Sequence, residues 1–178
     1  MIRQMRPDSS IEGLTDICVH VSANTQVKTA LEVGSYIGES TVVFAKNFKD
    51  LDVLYAVDPF NLNFNSDNLF NTDNLKEIED EFYKNIKEYP VIKHIKKDSE
   101  NASKDFADET FDFIYIDGCH EFKCVYNDIQ YWKSKVKKGG YMSFHDIDWH
   151  EVQYALSAFF DLKQGLITKD NSITFKIA

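Results

Sequence analysis

Apolar residues recur along the chain at two alternating periods, and that alternation predicts the elements. Ile11, Leu14, Ile17, Cys18 and Val21 fall at helical intervals, the spacing that lays one apolar stripe along a helix. Ser9-Ser10-Ile11-Glu12 has capping-box spacing, so a helix is expected over about Ser10–Asn24. Thr29–Val33 is a short apolar run read as the first strand, and Gly38–Asn47 a helix that buries Val42, Val43 and Phe44. Val53–Val57 is a second strand, stopped at Asp58-Pro59 because proline cannot continue a ladder. Leu75, Ile78, Phe82, Ile86 and Tyr89 make another helical stripe, ended by Pro90. Val91–Ile95 is a third strand, Ser99–Phe106 a short helix, and Phe111–Ile116 the strongest strand. Val125, Ile129, Trp132 and Val136 predict a helix terminated by Gly139-Gly140. Tyr141–Phe144 follows as a fifth strand, and Val152, Ala155, Leu156 and Phe159 mark a last helix. Gly165–Thr168 and Ser172–Ile177 flank Lys169-Asp170-Asn171 as a hairpin, with Ile173, Phe175 and Ile177 on one face.

Strands alternating with helices in this way predict an α/β fold: a doubly wound, Rossmann-like sheet of five parallel strands plus a C-terminal antiparallel β-hairpin, seven strands in total. One domain is expected over residues 1–178, with an N-terminal helical segment at 1–28. The stretch 60–74 is polar and Asn-rich, with Phe64, Leu69 and Phe70 interspersed, and reads as a lid loop. Ligands of such sheets bind beyond the carboxyl ends of the strands. Here those ends carry Glu32, Asp58, Asp98, Asp117 and Asp146. Any one of them could merely cap the next helix; five in the same topological position point to a site.

Charge and cysteine content narrow the function. With 29 acidic against 20 basic residues the formal net charge is -9, which makes nucleic acid and anionic membrane poor partners. The lysines at 93, 96 and 97, and at 133, 135, 137 and 138, read as solvated element ends. Cys18, Cys119 and Cys124 form no C-x-x-C pair, as expected in a reducing compartment and with no zinc framework. No apolar run approaches the roughly 18 residues of a membrane helix, and Met1–Ser10 is not followed by the apolar stretch of a signal peptide. A cytoplasmic location is expected.

The chemistry concentrates in Ala30-Leu31-Glu32-Val33-Gly34-Ser35-Tyr36-Ile37-Gly38-Glu39-Ser40. An apolar run leads into two glycines four positions apart, and a helix opens behind them with its first N–H groups available to a ligand. A dinucleotide fingerprint would need glycine at Tyr36, and no G-K-[ST] follows to make a phosphate loop. Glu32, just before the first glycine, suits a ligand bearing an ammonium group better than one bearing pyrophosphate.

The order of these features resembles class I S-adenosylmethionine (SAM)-dependent methyltransferases over nearly the whole chain. Tyr115-Ile116-Asp117-Gly118-Cys119-His120, then Asp128 and Trp132, then Gly139-Gly140-Tyr141-Met142-Ser143-Phe144-His145-Asp146, resemble the branch of small-molecule O-methyltransferases that act on macrolide-type sugars. The resemblance implies that Glu32, Gly34, Ser35, Tyr36, Gly38 and Ser40 surround the methionine part of SAM. It implies that Asp58, with Pro59 beside it, takes the ribose hydroxyls, that Asp98 and Ser99 meet the adenine, and that Asp117 borders the cofactor. It further implies a divalent metal, usually magnesium, on Asp117 and Asp146, with His120 as general base. One departure stands out: Gly118 occupies a place where relatives often carry a third acidic ligand, for which His145 or Asp148 would have to substitute.

Plainer roles compete for the same residues. His120 could cap the helix that follows it, and His145 could fill a core position. Cys119 reads as a packing residue; His20, His94 and His150, with Asp105, Asp108 and Asp112, read as surface or turn residues. Three functions follow in order: methyl transfer from SAM to a hydroxyl of a small molecule such as a sugar or glycosylated metabolite; a non-catalytic SAM- or nucleotide-binding module; and a nucleotide-dependent oxidoreductase, whose glycine spacing is absent. The chain offers little material to cover a substrate beyond 60–74 and the first helix, which leaves room for a second subunit of a homo-oligomer.

Overall fold

The strand Phe111–Ile116 (β4) is buried at all six positions, and the rest of the chain is layered on its two faces. The structure is a computed structural model that describes residues 6–61 and 75–178. Parallel strands Thr29–Val33 (β1), Val53–Val57 (β2) and Ile92–Ile95 (β3) extend the sheet on one side of β4, and Val136–Phe144 (β5) lies on the other. Ile173–Lys176 (β7) pairs antiparallel with β5, and Leu166–Ile167 (β6) closes the edge, giving the order β3-β2-β1-β4-β5-β7-β6. This is the expected seven-stranded α/β sheet.

Helices Asp8–Ser22 (α1), Glu39–Asn47 (α2) and Leu75–Ile86 (α3) cover one face. Their apolar stripes meet Ala30, Leu54, Ala56, Phe113 and Tyr115. Helices Ser99–Ser103 (α4), Phe122–Trp132 (α5) and His150–Ser157 (α6) cover the other, over Leu31, Val33, Ile114, Ile116, Met142 and Phe144. Successive β4 side chains thus enter opposite cores, which is why a strand covered on both faces reads as one continuous apolar run.

Several boundaries differ from the sequence reading. Ser9 does not cap α1; Pro7 precedes the helix and no side chain caps it. The α5 pattern stops at Trp132, a 3-10 turn covers Lys133–Lys135, and Val136 belongs to β5. Gly139-Gly140 therefore lies inside a strand and ends no helix: Val136 follows Trp132 at helical spacing, but it pairs with Phe111 across the sheet. Asp112 is no solvated turn charge. It is 8% exposed, accepts from the backbone N–H groups of Lys28 and Thr29 at 2.9 Å each, and pairs with Lys137. Residues 62–74, the greater part of the expected lid, lie outside the described residues. Among the described residues no helix is long and apolar enough to cross a membrane.

Candidate active site

Parallel register aligns the strand ends before any side chain is considered. The ladder continues one step past each strand, with Gly34 N–H donating to Val57 O, Asp58 N–H to Ile95 O, Asp117 N–H to Val33 O and His145 N–H to Ile116 O. Gly34, Asp58, Asp117 and His145 consequently share one row across the carboxyl edge. Backbone strain gathers along the same edge. Of the non-glycine residues with positive φ, Tyr36 (46°), Phe60 (47°) and Asp146 (56°) each follow a strand of this row. Unfavourable conformations of this kind concentrate where a site over-determines the chain.

The glycine loop comes first. Gly34 adopts φ +86°, and a Cβ there would lie 2.2 Å from the Asp117 carbonyl oxygen; a Cβ at Gly38 would press on Phe82 and Ile86 of α3. Both glycines thus serve close packing of chain on chain, and a ligand gains from the loop they permit. Glu32 is fully buried and accepts from the Thr41 hydroxyl of α2. Burial pushes its carboxyl up to about 7, with the Ser40 and Thr41 hydroxyls opposing. Glu32 Oε1 and Ser35 Oγ are buried with no hydrogen-bond partner among the described residues. A buried acceptor left without a donor costs about 1–3 kcal/mol, so the loop is built for a group that brings one.

Beside it, Asp58 accepts from the Tyr36 N–H through Oδ2 and from the Phe60 N–H through Oδ1, both at 2.9 Å. The Ser35 backbone also donates to this carboxylate, and since a carboxylate offers about four acceptor positions, Asp58 keeps acceptor capacity for a hydroxyl. His94, read from sequence as a surface residue, buttresses this corner: its Nε2 lies 2.9 Å from the Asp58 carbonyl and its ring packs on Phe60 and Phe82.

The expected adenine corner is more committed. Asp98 caps α4, accepting from Asn101 N–H at 2.9 Å and from Asn101 Nδ2 at 2.7 Å. The Ser99 hydroxyl donates to buried Asp128 and accepts from Trp132 Nε1 at 2.8 Å, which spends its one donor. Asp128 is pushed up to about 7 by burial, with Ser99 opposing. An unfolded aspartate titrates near 4, so between about pH 4 and 7 the folded chain holds a proton that the unfolded chain has released. The stability contributed by that proton is complete below about pH 4 and is lost as pH rises through 7. Asp128→Asn, which keeps an acceptor for Ser99, should therefore leave stability unchanged near pH 4 and raise it by about 4 kcal/mol at pH 8. Urea denaturation at the two pH values checks this; equal shifts at both would rule out a buried proton on Asp128.

At the centre, the ends of β4 and β5 bring Asp117, His120, His145 and Asp146 together. His145 Nδ1 lies 3.1 Å from Asp117 Oδ1 and 2.8 Å from Asp146 Oδ2, and His120 Nε2 lies 2.7 Å from Asp146 Oδ2. Trp149, 45% exposed, tilts over the His120 ring at 5.0 Å. His145 is thus no core filler but the bridge between two carboxylates. Burial works against a charge on its ring, yet Asp117 and Asp146 outweigh it and push the pKa up to about 10, with Arg6 opposing. Burial likewise works against the Asp117 carboxylate, but Arg6 and His145 hold it below the ordinary range. Arg6 gives no signal in the sequence beyond being basic. It joins the site because α1 packs along α2 and Arg6, two residues ahead of α1, is tied through its N–H to Glu39 at the start of α2.

Residues 31–147 match a family described as a methyltransferase domain. No curated protein matches the chain. Among solved structures the fold is similar to the O-methyltransferase NovP, with 16% identity over 96% of this chain and 80% of that one and a TM-score of 0.66. It is similar to cofactor-bound Rv0187 from MTB, with 12% identity over 98% of this chain and 82% of that one and a TM-score of 0.67. A putative caffeoyl-CoA O-methyltransferase from Staphylococcus aureus gives 14% identity, 98% and 86% coverage and a TM-score of 0.64.

Proposed function

Because the chain belongs to the methyltransferase domain family, we propose that its carboxyl edge binds SAM and transfers the methyl group to a hydroxyl of a small molecule. The observation that carries the cofactor is the pair of buried polar atoms without a hydrogen-bond partner among the described residues at the end of β1, Glu32 Oε1 and Ser35 Oγ, one strand away from an Asp58 carboxylate with acceptor capacity to spare. The residues fit the cofactor: Glu32 answers the ammonium and Asp58 the two ribose hydroxyls. SAM held there supplies an electrophilic methyl on a sulfonium.

The chain's own residues supply the rest. Asp146 faces His120 Nε2 and favours the tautomer with the proton on that nitrogen, which puts the basic lone pair on Nδ1. His120 then takes the proton of the acceptor hydroxyl as its oxygen attacks, a general-base step of ordinary form. Trp149 beside it offers a flat apolar wall on which a sugar ring or an aromatic acceptor can lie. A sugar or glycosylated metabolite is the acceptor class we favour, carried by the motifs at 115–120 and 139–146.

Magnesium is a separate question. Asp117, His120 and Asp146 each bring a ligand atom within 4.8 Å of the others, but magnesium takes oxygen ligands in octahedral array. Here two carboxylates meet two imidazoles and a guanidinium. That donor set does not suit magnesium.

Calorimetric titration with SAM and its demethylated product S-adenosylhomocysteine (SAH) tests the reading. Wild type should bind at low micromolar concentration, and Asp58→Ala should weaken binding by at least about 100-fold, the loss of two charge-assisted hydrogen bonds. Absence of binding by folded wild type would remove the methyltransferase reading.

A further inference from the structure

Asp117 does not face its site alone. One Arg6 amine bonds its Oδ2, and the other lies 3.2 Å from His145 Nε2. The Arg6 side chain is 17% exposed and that of Asp117 9%, so the pair is formed away from bulk water. The Arg6 backbone N–H donates to Glu39 Oε2 at 3.2 Å, which pins the residue to the first turn of α2. The guanidinium is thus held from both its main chain and its side chain, on the carboxylate where the resemblance puts a divalent ion.

We propose that Arg6 takes the place of that ion: it supplies a fixed positive charge to the Asp117 side of the site, so that the site excludes divalent metal and works without it. This rests on the methyl-transfer reading above. Arg6 already sits on Asp117, and His145 Nδ1 lies against both Asp117 and Asp146, so the carboxylate positions a divalent ion would need are taken. Taking Asp117 away from Arg6 would also strand a largely buried guanidinium, and removing one partner of a buried pair is strongly destabilising. A metal would have to overcome that before gaining anything.

Mn²⁺ is the probe, because its electron paramagnetic resonance signal falls when the ion is bound. Wild type should leave the signal unchanged up to about 1 mM, the range of weak carboxylate sites. Arg6→Ala should acquire a site at least about tenfold tighter, and the added change Asp146→Asn should abolish it. Arg6→Gln, closer in length, repeats the test should Arg6→Ala not fold. Wild type that binds one Mn²⁺ at micromolar concentration would overturn the proposal, because Arg6 then yields to the ion. Folded Arg6 variants that gain no site would overturn it equally. SAH titration in the same buffers keeps the two readings apart: failure to bind SAH sinks the cofactor reading, while the Mn²⁺ pattern alone decides the role of Arg6.

Discussion

Gly34→Ala is expected to cost more than about 3 kcal/mol of stability and to abolish SAH binding. Two independent penalties add. At φ +86° an alanine incurs the left-handed strain of roughly 1–2 kcal/mol. Its Cβ would also lie 2.2 Å from the Asp117 carbonyl oxygen and 2.6 Å from the Gly118 Cα. These are backbone atoms of the central strand's end, which cannot swing aside as a flexible side chain would. Either β1 separates from β4 or the loop moves, and both displace Glu32, Ser35 and the Tyr36 N–H bonded to Asp58. Gly139→Ala is the control: φ is +80° there, but nothing lies within 4 Å of the added carbon. It should cost only about 1 kcal/mol and leave SAH binding intact. Urea denaturation and calorimetry on both variants check the pair; equal losses would mean that strain alone, rather than the contact with Asp117, sets the demand for glycine.

What could be read from the sequence follows from what is local. Period and turn chemistry are local, so β1, β2 and β4 fall where the apolar runs placed them, and the acidic strand ends converge because parallel register requires it. The misreadings share a different cause. Val136 continued a helical stripe by spacing, and only pairing with Phe111 makes it strand. Asp112 looked like a turn charge because nothing near it in sequence reveals that Lys28, Thr29 and Lys137 will surround it. His94 sits at an intermediate strand position whose partners, Asp58 and Phe60, come from the turn after β2. Arg6 is the extreme case. Its partners lie 111 and 139 residues away, and no local pattern encodes such a contact. Ser99 shows a related limit: the resemblance puts it beside the adenine, and nothing local reveals that its hydroxyl joins Asp128 to Trp132.

His120→Ala should lower the methyl-transfer rate by about 10²–10⁴-fold, the usual worth of a positioned general base, while SAH affinity changes by less than about threefold. The two expectations come from different parts of the geometry. The ring belongs to the β4–β5 end, against Asp146 at 2.7 Å and Trp149 at 5.0 Å, whereas the proposed cofactor contacts are carried by the end of β1 and by Asp58. A change confined to rate is therefore the signature of a base, and parallel losses in rate and SAH affinity would reduce His120 to a scaffold residue. Asp146→Asn separates orientation from proton transfer. It keeps an oxygen for His120 Nε2–H but removes the charge that favours that tautomer, so its rate should fall less than that of His120→Ala. Release of SAH across a panel of sugar and phenolic hydroxyls provides the assay. If His120→Ala keeps the wild-type rate on an accepted substrate, the proton leaves by another route, and Asp146, the carboxylate shared by both imidazoles, becomes the group to test for it.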